Sequence, residues 1–232
     1  MGNISNTRFP NGITNVSEVN LFADMIKPDP TLFHEYNQDF DQYVAADWTV
    51  TATGSTTQAL AAGDGGWLLI TNSAANADIC EVQKVPASFS LTSGKRLFFR
   101  ARFKVNDATA STVIVGLQNT NTDPTAATNG IYFSKAAAAK NVSIISRFNT
   151  TTGSTSVAAI TAMADDTFIE LGFFVGVNGG VQYEVNGNVI GAIPNAVNFA
   201  PTTNMAPVMY IKNGAAAAKT MTVDYLYAAK ER

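Results

Sequence analysis

The stretch from Asp165 to Ile193, DDTFIELGFFVGVNGGVQYEVNGNVIGAI, leaves this chain few ways to fold. Ile169, Leu171, Phe173, Val175 and Val177 alternate with Glu170, Gly172 and Gly176, the period-two pattern of a strand with one buried face. After the break at Asn178-Gly179-Gly180, the runs VQYEV and NVIGAI are separated only by Asn186-Gly187, the pair best suited to the positive φ angles of a two-residue type I′ turn. The hairpin register this implies sets Val185 opposite Asn188, Tyr183 opposite Ile190 and Val181 opposite Ala192, with Gln182 and Glu184 turned away from an apolar face. Three antiparallel strands of one sheet follow.

Strand patterns continue on both sides. DWTVTAT, GWLLITN and ADICEVQKV are punctuated by Gly63-Asp64-Gly65-Gly66 and closed by Pro86. In KRLFFRARFKV, Leu97, Phe99, Ala101, Phe103 and Val105 face one way and Arg96, Arg100, Arg102 and Lys104 the other. TVIVGLQNT, NGIYFS, NVSIISRF, VMYIKNG and MTVDYLYA follow, interrupted by a Thr/Asn/Pro-rich loop over Asn119–Asn129. The runs AAAAK at 136–140 and 215–219 favour helix by propensity, yet each is too short to be stable alone and sits between strands, so both are expected to be loops. Without a sustained 3.6-residue period, a parallel sheet with crossover helices is excluded. The expected fold is all-β: a single antiparallel two-sheet sandwich over residues 47–232, preceded by an irregular arm over 1–46 in which Pro10, Pro28 and Pro30 break regular structure. Within that arm, Thr31–Tyr43 suits either a short helix or a strand leading into the sandwich.

The residues offer little catalytic chemistry. His34 is the only histidine and Cys80 the only cysteine, so zinc sites built from these residue types and an internal disulfide are excluded by count. Any His-dependent triad would rest on His34, which stands beside Phe33 and Glu35 and reads as a packing or surface residue. Cys80 reads as a buried, inert thiol in a chain made in a reducing cytoplasm. Asp64, Asp107, Asp123, Asp165 and Asp166 fall in turn-like stretches without the spacing of a calcium loop, and turn chemistry accounts for them. No strand carries two carboxylates at alternate positions, the arrangement a sandwich glycosidase uses; Glu170 and Glu184 are single acids on separate strands. Trp48 and Trp67 could form a sugar-stacking platform, but both stand in strand patterns that suit core burial. Charged residues make up only 14% of the chain and the net charge is -3, so neither nucleic acid nor anionic membrane is an implied partner. No apolar run approaches a membrane span, the amino terminus shows no signal core, and Asn6 stands where a myristoylation signal wants Ser or Thr. The one charge feature with geometry is the row Arg96, Arg100, Arg102 and Lys104, which suits either an acidic partner or a solvated outer strand.

Taken together, TRFPNGITNV, FDQYVAADWTVTATG, GDGGWLLITN, KRLFFRARFKV, IELGFFV, VQYEVNGNVIGAI and AAAAKTMTVDYLYAAKER resemble the capsid decoration, or head cement, proteins of short-tailed bacteriophages. The resemblance implies a jelly-roll body of the concanavalin A and laminin-G type, no catalytic residues and no cofactor. It further implies a place on the virion, outside the capsid shell, with the major capsid protein and sister chains in a homotrimer as partners. The arm then becomes a contact element, because Phe9, Ile13, Val16, Leu21, Phe22 and Met25 are more apolar than a free linker keeps. It is expected to reach over the shell or sister chains, or else to cover an edge of its own sandwich. A lectin-like, glycan-binding module on the same fold is the alternative function, since fold alone does not decide between them.

Overall fold

The structure is a computed structural model that describes residues 32–148, 154–194 and 203–232. In chain order its strands are β1 Phe33–Gln38, β2 Trp48–Thr53, β3 Thr56–Ala61, β4 Trp67–Asn72, β5 Ile79–Lys84, β6 Phe89–Ser90, β7 Leu97–Val105 and β8 Ser111–Asn119. They continue with β9 Asn129–Lys135, β10 Asn141–Phe148, β11 Thr155–Ala162, β12 Ile169–Val175, β13 Val181–Val185, β14 Asn188–Ile193, β15 Asn204–Asn213 and β16 Thr220–Glu231.

Two sheets form the sandwich. Sheet A runs β14-β13-β12-β7-β16-β4-β3 and sheet B runs β11-β10-β9-β8-β15-β5-β2. β1 pairs with the end of β16 that β4 leaves open, and β6 pairs with β15. Every pairing is antiparallel, as the absence of crossover helices predicts. Neither alanine run is helical.

The period-two reading places the core. Leu97, Phe99, Ala101, Phe103 and Val105 of β7 all enter the main apolar cluster, as do Ile169, Leu171, Phe173 and Val175 of β12. Phe173 joins the layers, with its ring 5.3 Å from Phe99 in its own sheet and 6.0 Å from Phe133 in the other. Fully burying such a ring stabilises by about 1.5–3 kcal/mol. Cys80 lies in the same core, its thiol pushed up by burial.

Two sequence expectations change and one open alternative is decided. The Asn186-Gly187 turn forms with both φ angles positive, at 50° and 76°. Its hairpin, however, keeps the expected register only through Val185↔Asn188 and Glu184↔Val189, after which a bulge at Ile190 sets Tyr183 opposite Gly191 and Val181 opposite Ile193. The cause lies in Gly191, where any Cβ would overlap the Tyr183 hydroxyl; only glycine lets the ring lie there. Second, of the two alternatives left open for Thr31–Tyr43, the described part takes the strand over Phe33–Gln38: β1 is hydrogen-bonded into sheet A, and Tyr36, Phe40 and Tyr43 surround Trp48 at 6.2–6.5 Å between ring centroids. Third, Trp67 is not in the core; Leu68 and Ile70 point inward, so alternation turns Trp67 to the outer face of sheet A.

Candidate functional site

Sheet A and sheet B each present one outer face, and the residues singled out from the sequence fall mainly on these. On sheet A the row Arg96, Arg100, Arg102 and Lys104 does share a face, but its charges meet counter-charges or rings from elsewhere in the chain. Arg96 bonds Glu231 at 2.8–2.9 Å. Arg100 bonds Glu184 through Nε at 2.5 Å and lies 3.6 Å from Glu170. Arg102 pairs with Asp224 and stands 4.3 Å over the Phe168 ring. Lys104 lies 5.4 Å from the Trp67 ring and 5.1 Å from that of Phe168.

Glu184 turns away from the core face as expected, but not into water. It is fully buried on the outer face, beneath Arg100 and against Gly172, where a Cβ would overlap its carboxylate. Desolvation raises its pKa while Arg100 opposes the shift. Glu170, on the neighbouring strand, accepts the hydroxyl proton of Tyr225 and thereby joins the same network. The register thus brings together two carboxylates that look unrelated in sequence, and binds both to Arg100 or Tyr225. Glu184 is fully buried and Glu170 is held by the Tyr225 hydroxyl, unlike two carboxylates that flank a substrate in a cleft.

The outer face of sheet B holds groups that the sequence reading missed. Glu81 sits between Tyr210 of β15 and Thr51 of β2 and is 1% exposed. Neither of its oxygens has a hydrogen-bond partner among the described residues. Burial, helped by the nearby negative charge of Asp123, pushes its pKa up to about 7. The same surroundings push Tyr210 up to about 12. Ile114, Tyr132, Val208 and Tyr210 form a second apolar patch beside it.

The loop after β8 folds over this face. Gln118 Nε2 donates to the Pro124 carbonyl at 2.9 Å, and Gln83 of β5 accepts from Asn121 N at 3.4 Å. From the far side Arg147 of β10 donates to the carbonyls of Thr125 and Ala127 at 3.1 and 3.2 Å. Asp123 caps a short 3-10 turn, Pro124–Ala126, by accepting from Thr125 N at 3.0 Å. The stretch expected to be only a connecting loop is therefore a cover for Glu81 and the ring patch.

The remaining candidates have structural employment. His34 lies in β1, 2.9 Å from Ser88 Oγ with its ring 4.9 Å from Phe89. Asp107 accepts from Thr109 N and Ala110 N at 3.0 and 2.7 Å, and Asp165 accepts from Ala108 N at 2.9 Å, so both hold turns. Among the described residues no cluster of three or more His, Cys, Asp or Glu could hold a metal ion. No helix among them is long and apolar enough to cross a membrane. Phe9, Ile13, Val16, Leu21, Phe22 and Met25 lie outside the described residues.

Neither a protein-family model nor a curated protein matches the sequence. Solved structures do match. An endo-1,3-β-glucanase from Streptomyces sioyaensis superposes with a TM-score of 0.63 at 13% identity, over 88% of this chain and 99% of the glucanase. A protein of unknown function, SO2946 from Shewanella oneidensis MR-1, gives 0.62 at 11%, over 91% and 92% of the two chains. Peanut lectin gives 0.58 at 10%, over 85% and 97%. A glucanase and a lectin thus share this fold, so what the neighbours establish for this chain is architecture: a concanavalin A-like jelly roll of two antiparallel sheets.

Proposed function

We propose that this chain is a non-enzymatic structural protein of a phage virion, bound to the outside of the assembled capsid as a decoration or cement protein. It acts as a homotrimer and contacts the major capsid protein through its arm. The sequence resemblance motivates the reading, and one structural observation carries it forward: the cations of β7 are engaged by groups of the same chain. A basic face so neutralised has little charge to offer an acidic partner, which leaves the apolar side chains of the arm, Phe9 to Met25, as the groups with most to gain from a shell. Purified heads of the parent virus, mixed with the chain and sedimented, test this directly. Saturable co-sedimentation supports it, and a chain that stays in the supernatant at micromolar concentration contradicts it.

The second reading is a glycan-binding module. It is favoured by the fold shared with peanut lectin. A panel of oligosaccharides titrated calorimetrically separates the two: saturable binding at millimolar or tighter affinity supports the lectin reading, and no binding across the panel contradicts it.

A further inference from the structure

Glu81 is a buried carboxylate without a partner for its charge. It stands on the outer face of sheet B, two positions from Gln83 on the same side of β5, and is 1% exposed. Both of its oxygens lack a hydrogen-bond partner among the described residues. The loop that folds over this face adds a third such oxygen. Gln83 Oε1 accepts from Asn121 N at 3.4 Å, which sets Asn121 above β5. Asn121 Nδ2 donates to the Asn119 carbonyl at 2.7 Å, a contact that only the nitrogen can make, so the amide's orientation is settled. Its Oδ1 is thereby left buried with no donor.

Two residues further on, Asp123 brings a second negative charge close enough to act on both Glu81 and Tyr210. Its Oδ1 is taken by Thr125 N and Oγ1, and the side chain is exposed. A proton does not satisfy this arrangement: on Glu81 it supplies a single donor, leaving the other orphan oxygens and the Asp123 charge as they were. One divalent cation satisfies them together. We infer that Glu81, Asn121 and Asp123 form a calcium site that pins the loop Asn119–Asn129 to sheet B. Every candidate ligand is a hard oxygen, without the nitrogen or sulfur that zinc favours. Ca²⁺ takes both oxygens of one carboxylate in an irregular shell of about 6–8, whereas Mg²⁺ demands a stricter octahedron and sheds its waters reluctantly. Asp123 at the rim meets the ion first, and Glu81 beneath it holds the ion where little water competes. The ligands come from a strand and a loop, and only two are acids, so neither a spaced sequence motif nor a cluster of three acidic side chains marks the site.

The site stands apart from both the shell reading and the glycan reading, and calcium binding alone supports neither. Its effect is on the cover. With the ion bound, the loop is tied to β5 by charge as well as by the bonds of Gln83, Gln118 and Arg147; without it, those bonds hold the loop alone.

The test uses the full chain, stripped with chelator and titrated with Tb³⁺ as a luminescent stand-in for Ca²⁺. Tyr210, paired with Glu81 across the β15–β5 ladder, is the sensitiser. Excitation of tyrosine is expected to give saturable terbium emission at one ion per chain, displaced by Ca²⁺, and CaCl₂ alone is expected to raise the thermal midpoint. Glu81→Gln and Asp123→Asn, each checked for fold by circular dichroism, are expected to weaken binding tenfold or more. Asp123 is exposed, so that variant tests the site even if Glu81→Gln disturbs the sheet. Asp64→Asn, an exposed acid on another turn, is expected to bind as the natural chain does. No saturable emission, or emission unchanged in both Glu81→Gln and Asp123→Asn, overturns the inference. An equal loss in Asp64→Asn overturns it also, because binding would then follow the general negative charge rather than this site.

Discussion

Arg100 shows how single residues in this protein depend on partners far away in sequence. Its carboxylate partner Glu184 is 84 positions away, on a strand where alternation alone makes an acid look solvated. The sequence pattern assigned the face correctly; the burial was not legible, because it arises from Arg100 lying over Glu184 and from the missing side chain at Gly172. Removing one member of such a pair leaves the other charged and buried, so Arg100→Met is expected to lower unfolding free energy by about 3–5 kcal/mol. Adding Glu184→Leu should recover most of that loss, as read from urea denaturation. Glu81 supplies a pH prediction of defined sign. Its folded pKa of about 7 stands above its ordinary value of 4.5, so its favourable contribution is complete below pH 4.5 and lost as pH rises through 7. Stability should fall across that window by on the order of 3 kcal/mol from this group alone, since each unit is worth 1.36 kcal/mol. In Glu81→Gln the same window should be flat by comparison; an unchanged pH profile would mean that the carboxyl is solvated.

At the scale of elements, what could be read depended on whether a strand's pattern was local. β12 with β13 and β14, and β7 with its apolar face, are visible in the alternation, and the type I′ turn follows from Asn186-Gly187. The bulge at Ile190 was not, because it depends on the Tyr183 ring occupying the space over Gly191. Nor was the outward turn of Trp67: the pairing of β4 with β3 and β16 sets which of Trp67 and Leu68 faces in, and both are large and apolar. The loop Asn119–Asn129 carries turn chemistry in its sequence, but its role as a cover emerges only when Gln83 and Arg147 approach from other strands. The element most exposed to mutation is β12. Phe173→Ala opens a cavity between the sheets and is expected to cost about 3–5 kcal/mol. A loss below about 0.5 kcal/mol, typical of a surface site, would contradict its place between Phe99 and Phe133.

For the whole molecule, the first and last described strands meet in one sheet. β1 and β16, the first and last described strands, lie side by side in sheet A, with Arg232 N bonded to the Leu32 carbonyl at 2.9 Å. The chain thus enters sheet A directly beside β16. A closed three-fold assembly suits a decoration protein, and light scattering of the isolated chain is expected to give three times the mass of one chain, 24.6 kDa. A monomer both in solution and on the particle would rule that assembly out. The most direct measurement is quantitative co-sedimentation with purified heads of three full-length chains: the natural one, Phe9→Ser/Leu21→Ser/Phe22→Ser in the arm, and Arg102→Gln/Lys104→Gln on sheet A. The account predicts stoichiometric binding of the natural chain and of the sheet A variant, with a loss of tenfold or more for the arm variant. Equal binding by the arm variant, or loss confined to the sheet A variant, would contradict it.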